Sequence, residues 1–137
     1  MKRLLLTAIW ALSLTTPAVA QDVPPTDQYN PADPAYNNWY KVVSDSDDAA
    51  AAGFTKAGEQ RDAGDKAGMC ASLKGVQSNV VTEIDALDHM TAIIKGDAGI
   101  TPEQFAQESG MINETMASIH RAGDIADGAI ADNCQAS

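Results

Sequence analysis

Residues 101–130 read TPEQFAQESGMINETMASIHRAGDIADGAI, and this stretch decides the fold class. It opens with a helix start signal, because Thr101 can cap the first turn and Pro102 suits the first helical position. Behind that start, small or apolar residues recur at alternating steps of four and three: Phe105, Ser109, Ile112, Met116, Ile119, Gly123, Ala126 and Ile130. Such an alternation is typical of a helix that lies along a partner helix.

The preceding region predicts that partner. Apolar residues recur at threes and fours from Met69 to Ile94, and a glycine-rich turn follows at 96–99. Asp65 is placed to cap this helix. A further helix is expected from Asp47, capped by Ser46 and stopped at Gly64.

Three helices joined by short loops predict an all-α, antiparallel, up-down bundle. The chain shows no alternation of period two and no hairpin turn dipeptides, which argues against strands.

Two cysteines, Cys70 and Cys134, are expected to form one disulfide that closes a loop of roughly 65 residues. The bond must join the start of the second long helix to the end of the third. Counted from the intervening turn, Cys70 lies 25 residues before Lys95, and Cys134 lies 32 residues after Pro102. The seven-residue difference is about 10 Å of helix, so one helix must kink, slide or fray.

Residues 1–20 have the parts of a secretory signal: basic Lys2 and Arg3, an apolar run, and Ala18-Val19-Ala20 before the expected cut. The run is too short for a membrane anchor, so the mature chain is expected to lack one. Residues 21–34 contain four prolines and predict a disordered leader, which leaves 35–137 as the bundle domain. The protein is therefore expected to be periplasmic or extracellular.

The charge is strongly negative, with nine basic and nineteen acidic residues and a net of −10. Loss of Lys2 and Arg3 with the signal leaves seven basic against nineteen acidic residues, a net of −12. Phosphate-rich partners would be repelled, which argues against nucleic acid and anionic lipid. A basic protein would be attracted. The charge does not determine the oligomeric state. The periodic small and apolar face of the third helix could pack against a second copy of the chain as well as against its neighbouring helix.

Tyr36, Trp39 and Tyr40 are the candidate partner-binding residues, since their spacing places them on one face of a helical turn. Tyrosine and tryptophan dominate binding hot spots. The alternative is that this aromatic patch folds back and caps one end of a bundle that has few other aromatics.

The two histidines, His89 and His120, leave a metal-binding alternative open, because each has a potential ligand one turn away, Asp85 and Met116 respectively. Nothing in their spacing demands a joint site, and no metal or cofactor is assigned.

No catalytic motif is recognisable, so no catalytic residue is assigned. The sequence thus predicts an exported, non-enzymatic helical protein that binds another macromolecule, as an inhibitor, immunity, adaptor or chaperone protein. The alternative is a bundle that binds a metal or small ligand.

Overall fold

The computed structural model describes Tyr29, Pro31 and residues 33–134. These form three α-helices, α1 (Ala35–Asp62), α2 (Lys66–Gly96) and α3 (Pro102–Asn133), and no strand occurs among the described residues. The prediction of an all-α bundle with three main helices is confirmed. The predicted secretory signal lies outside the described residues, as does most of the predicted leader. No helix in the described part of the chain is long and apolar enough to cross a membrane.

The central element is α2, which packs against both other helices. Short connections at 63–65 and 97–101 reverse the chain direction twice, so that neighbouring helices are antiparallel. Within the described chain the backbones of α1 and α3 do not touch, but their side chains do, as in the hydrogen bond from Tyr36 to Glu108. The main core accordingly draws on all three helices, with members such as Ala50, Val76, Ile94 and Ile112.

The predicted start of the first helix is wrong. We expected it at Asp47 with Ser46 as cap, whereas α1 begins at Ala35 and Ser46 lies buried in mid-helix. The helix extends further because residues that are buried or half-buried recur at threes and fours without a break: Tyr36, Trp39, Val43, Ser46, Ala50, Phe54 and Ala57. Three of these are serine or alanine, which a search for large apolar residues passes over.

Small residues bring α1 close to α2. A Cβ on Gly53 would lie 2.7 Å from Val76 Cγ2, so only glycine fits there without a shift. Ala50 and Ala57, one turn to either side, are buried in the same contact. We call this contact surface the α1–α2 seam.

The predicted apolar stripe and caps of α2 are confirmed. Asp65 Oδ1 accepts a hydrogen bond from Gly68 N at 2.8 Å, and Gly64 adopts a φ of +76°, the left-handed conformation that ends α1. Most of the stripe is buried, including Leu73, Val76 and Leu87. The structure adds an acidic residue to the buried set, Glu83, which the sequence pattern did not predict.

The predicted start of α3 is also confirmed. Thr101 Oγ1 accepts from Gln104 N at 3.2 Å, and Gln104 Oε1 accepts from Thr101 N at 3.0 Å. This reciprocal pair is a capping box. Ile112, Ile119 and Ala126 of the predicted seam are buried.

The predicted disulfide is present, with 5.7 Å between the Cα atoms of Cys70 and Cys134. From the disulfide onward, α2 and α3 stay aligned residue for residue in opposite directions. This is shown by the hydrogen bond that Gln77 donates to Asp127, and by Gly123, where an added Cβ would lie 3.2 Å from Val80 Cγ1. The same register places the end of α2 level with Glu108. The first turns of α3 therefore extend past the end of α2, which accounts for the seven-residue difference as a slide.

Candidate functional site

An open pocket of about 590 Å³ lies where α1 begins and α2 ends. We call it the end pocket. Its aromatic and charged lining consists of Trp39, His89, Asp33 and Asp97, and Ala35, Ala92 and Ile93 are among its apolar lining. The volume falls within the range of about 300–1,000 Å³ that is usual for ligand pockets.

Two stacked rings form one wall of the end pocket. The indole of Trp39 on α1 and the imidazole of His89 on α2 lie parallel, with 4.1 Å between centroids and 5° between planes. Asp85, one turn before His89, places Oδ2 3.7 Å from His89 Nε2. The stack fixes the orientation of the indole and joins the two helices at this end of the α1–α2 seam.

The charged lining of the end pocket is negative. Asp33 and Asp97 both contribute carboxylates, and the carboxyl end of α2 at Gly96 adds the negative end of a helix dipole. The positive end of α1 also reaches this region, but there Asp33 Oδ1 accepts a hydrogen bond from Ala35 N at 2.8 Å. The pocket is therefore suited to a cation rather than an anion.

Asp97 is held in place by neighbours on both sides. Its Oδ1 accepts from Gly99 N at 2.8 Å, and its Oδ2 accepts from the hydroxyl of Tyr29 at 2.7 Å. Burial, together with the hydrogen bond and the charge of Asp97, raises the pKa of Tyr29 to about 12. Tyr29 belongs to the predicted leader, and it packs edge-on against Tyr36 with 6.0 Å between ring centroids. One described residue of the leader thus anchors the turn that lines the pocket.

The structure separates the three residues of the predicted aromatic patch. Tyr36 is 8% exposed, as the alternative interpretation expected, and its hydroxyl donates to Glu108 Oε2 at 2.9 Å. Burial, then the hydrogen bond and charge of Glu108, raise the pKa of Tyr36. Trp39 lines the end pocket, whereas Tyr40 is 62% exposed and is not part of the pocket lining. Trp39 and Tyr40 are thus the members that a partner can reach, and their role in binding stays a prediction.

The two histidines lie in different surroundings. Both are exposed, but His89 stacks on Trp39 on the side of α2 that meets α1, whereas His120 lies on α3. Among the described residues, no three side chains of His, Cys, Asp or Glu are grouped so that they could hold a metal ion.

The sequence pattern did not predict that His89, Asp33 and Asp97 would accompany Trp39. An antiparallel alignment of the first two helices would have predicted that His89 lies opposite Trp39. That alignment could not be used, because the first helix was expected to begin after Trp39. No family model, curated protein or solved structure matches this chain, so the end pocket is interpreted from its own geometry.

Proposed function

We propose that this chain is an exported, non-enzymatic binding protein that recognises a basic segment of a partner protein through the end pocket. The observation that supports this most strongly is an open pocket lined by Trp39, which stacks on His89, and by two carboxylates, Asp33 and Asp97. Tryptophan is the best aromatic partner for a cation. Carboxylates form charge-assisted hydrogen bonds with arginine and lysine.

The charge of the whole chain supports the same partner. A net charge of −10, or −12 after loss of Lys2 and Arg3, attracts a basic protein over long range and speeds encounter. The openness of the end pocket also fits a side chain that remains attached to a partner's surface. A disulfide between Cys70 and Cys134 suits the oxidising compartment to which the proposed signal would direct the chain.

A small organic cation is the second candidate ligand, and the pocket volume favours it. About 590 Å³ is enough for a free amine or guanidine of ordinary size. The affinities of a basic peptide and of a single arginine derivative distinguish the two candidates. Only the peptide presents several cations to the acidic surface around the pocket, so only a protein-binding site should bind it more tightly.

Trp39 provides the readout for a direct test. The protein is produced from the full sequence, exported and purified without reductant, and its mass establishes cleavage after Ala20. Trp10 leaves with the signal, so Trp39 is the single tryptophan of the mature chain. Its fluorescence is titrated with an octa-arginine peptide and, separately, with N-acetylarginine amide. We expect a saturable change with the peptide whose midpoint rises with salt. If N-acetylarginine amide produces a saturable change with the same midpoint as the peptide, the small-cation candidate is favoured.

Matched variants separate the end pocket from general charge attraction. Asp33→Asn with Asp97→Asn removes two charges from the pocket. The asparagine oxygens can keep accepting the hydrogen bonds from Ala35 and Gly99, and at position 97 the amide nitrogen can donate to the Tyr29 hydroxyl in place of the bond that Asp97 accepts from it. Asp48→Asn with Asp124→Asn removes two charges from exposed positions elsewhere. We expect the pocket pair to weaken peptide binding by about tenfold or more, which is about 1.4 kcal/mol. Equal weakening by both pairs would show that the pocket is not the site.

A further inference from the structure

Glu83 is the most unusual charged residue in the described chain. Its side chain is 2% exposed, and its Oε1 atom has no hydrogen-bond partner among the described residues. Buried carboxylates in proteins are normally paired, because an isolated buried charge is strongly unfavourable. Its position in the fold therefore needs a physical explanation.

The α1–α2 seam places Glu83 opposite the middle of α1. Trp39 with His89, and Gly53 with Val76, show how the two antiparallel helices are aligned. The same alignment brings Glu83 level with Ser46, which is also buried. Along α2, its neighbours one turn away are the buried apolar residues Val80, Ala86 and Leu87.

The charged groups around Glu83 do not neutralise it. From α1, Asp47 acts on it with a charge of the same sign. From α3, His120 and Arg121 are level with it by register, but both are exposed. Burial first, and Asp47 second, raise the pKa of Glu83 to about 7.

We propose that Glu83 is a proton-controlled switch in the α1–α2 seam: the neutral acid keeps the seam closed, and ionisation of the acid loosens α1 from α2. The charge that appears on ionisation has no cation beside it and faces Asp47. The least disruptive response is a separation of the helices that admits water to the carboxylate. This inference does not depend on what binds in the end pocket.

The pH dependence has a definite sign. A carboxyl whose pKa is higher in the folded state than in the unfolded state binds its proton more tightly when folded. The stabilising contribution of Glu83 is therefore complete below pH 4.5, declines between pH 4.5 and about 7, and is absent above that. Ionisation of Glu83 can change the unfolding equilibrium constant by a factor of ten for each pH unit between the two pKa values. From pH 4.5 to about 7 this amounts to a rise of at most about 300-fold.

Urea unfolding of Glu83→Gln across this window tests the proposal. Glutamine has nearly the shape of the neutral acid but does not titrate. We expect the unfolding equilibrium constant of the wild type, divided by that of the variant, to rise at least tenfold from pH 4.5 to about 7. The control is Glu114→Gln, at an exposed position, whose ratio should stay flat. A flat ratio for Glu83→Gln as well would overturn the proposal.

A measurement on the wild type covers the case in which Glu83→Gln does not fold. The chain has only five glutamates, Glu59, Glu83, Glu103, Glu108 and Glu114, so their side-chain carboxyl carbons can be assigned and titrated by NMR. We expect Glu83 to titrate near pH 7. We also expect hydrogen exchange to become faster in α1 than in α3 as Glu83 ionises, after correction for the intrinsic rate. Titration of Glu83 at an ordinary glutamate pKa, or unchanged relative exchange, would contradict the switch.

Discussion

Tyr36 and Glu108 show how single residues hold the end of the bundle together. They lie 72 positions apart in the sequence, and the hydroxyl of one donates to the buried carboxylate of the other. Glu108 is 7% exposed, so the tyrosine hydroxyl replaces water as its hydrogen-bond donor. Because Tyr36 also packs against Tyr29, the same residue connects the start of α1 to the turn that lines the end pocket.

Removal of this hydroxyl is expected to destabilise the protein. In Tyr36→Phe the ring still fills the core, but Glu108 loses its donor, and we expect a loss of about 1–3 kcal/mol in the free energy of unfolding. Urea denaturation followed by circular dichroism measures the change. Tyr40→Phe serves as the control, because Tyr40 is exposed and its hydroxyl should contribute within about 0.5 kcal/mol. Equal stability of the two variants would show that the buried hydrogen bond contributes nothing.

At the scale of elements, the predictable parts are those that depend on local chemistry. The caps at Asp65 and Thr101 and the stripes of α2 and α3 could be predicted, because cap side chains and large apolar residues give strong local signals. The start of α1 could not, since its seam is built from Ser46, Ala50 and other small residues. Buried acids such as Glu83 were also missed, because a charged residue is ordinarily assigned to the surface.

The same distinction applies to the candidate site. Trp39 could be selected from its residue type and spacing alone. His89 and the two pocket carboxylates could not be joined to it, because their proximity depends on the alignment of α1 with α2. That alignment is set by close packing of small residues such as Ala50 and Gly53, whose periodic spacing is missed when only large apolar residues are counted.

Two glycines of α1 test the close packing of the α1–α2 seam. Gly53→Ala would place a Cβ 2.7 Å from Val76 Cγ2, and we expect the overpacking to destabilise the protein by about 1–3 kcal/mol. Gly58→Ala is the matched control in the same helix, because no atom lies within 4 Å of its added Cβ. Its higher helix propensity should stabilise the protein by up to about 1 kcal/mol. Stabilisation by both changes, in thermal unfolding, would mean that the helices are further apart than described.

The disulfide stabilises the bundle at the opposite end from the pocket. It joins residues 64 positions apart, so its reduction frees a long loop in the unfolded chain and should cost about 3–4 kcal/mol. Denaturation with and without reductant measures this loss. The double variant Cys70→Ser with Cys134→Ser provides the control, since its stability should not respond to reductant. A reductant effect of equal size on that variant would exclude the disulfide as the cause.

At the scale of the whole molecule, the two ends of the bundle differ in character. At one end a disulfide joins α2 to α3, and the other end carries the end pocket between α1 and α2. The negative net charge of the chain attracts cations over long range, and the end pocket combines carboxylates with an aromatic wall. A cationic ligand should therefore bind at Trp39 rather than anywhere on the acidic surface.

NMR of the oxidised, exported protein during titration with the octa-arginine peptide tests that claim most directly. We expect the largest shifts on the indole Nε1–H of Trp39 and on the backbone amides of His89 and Asp97, with saturation at one peptide per chain. Small, non-saturating shifts spread over the exposed acidic residues of α1 and α3, with Trp39 unaffected, would contradict it.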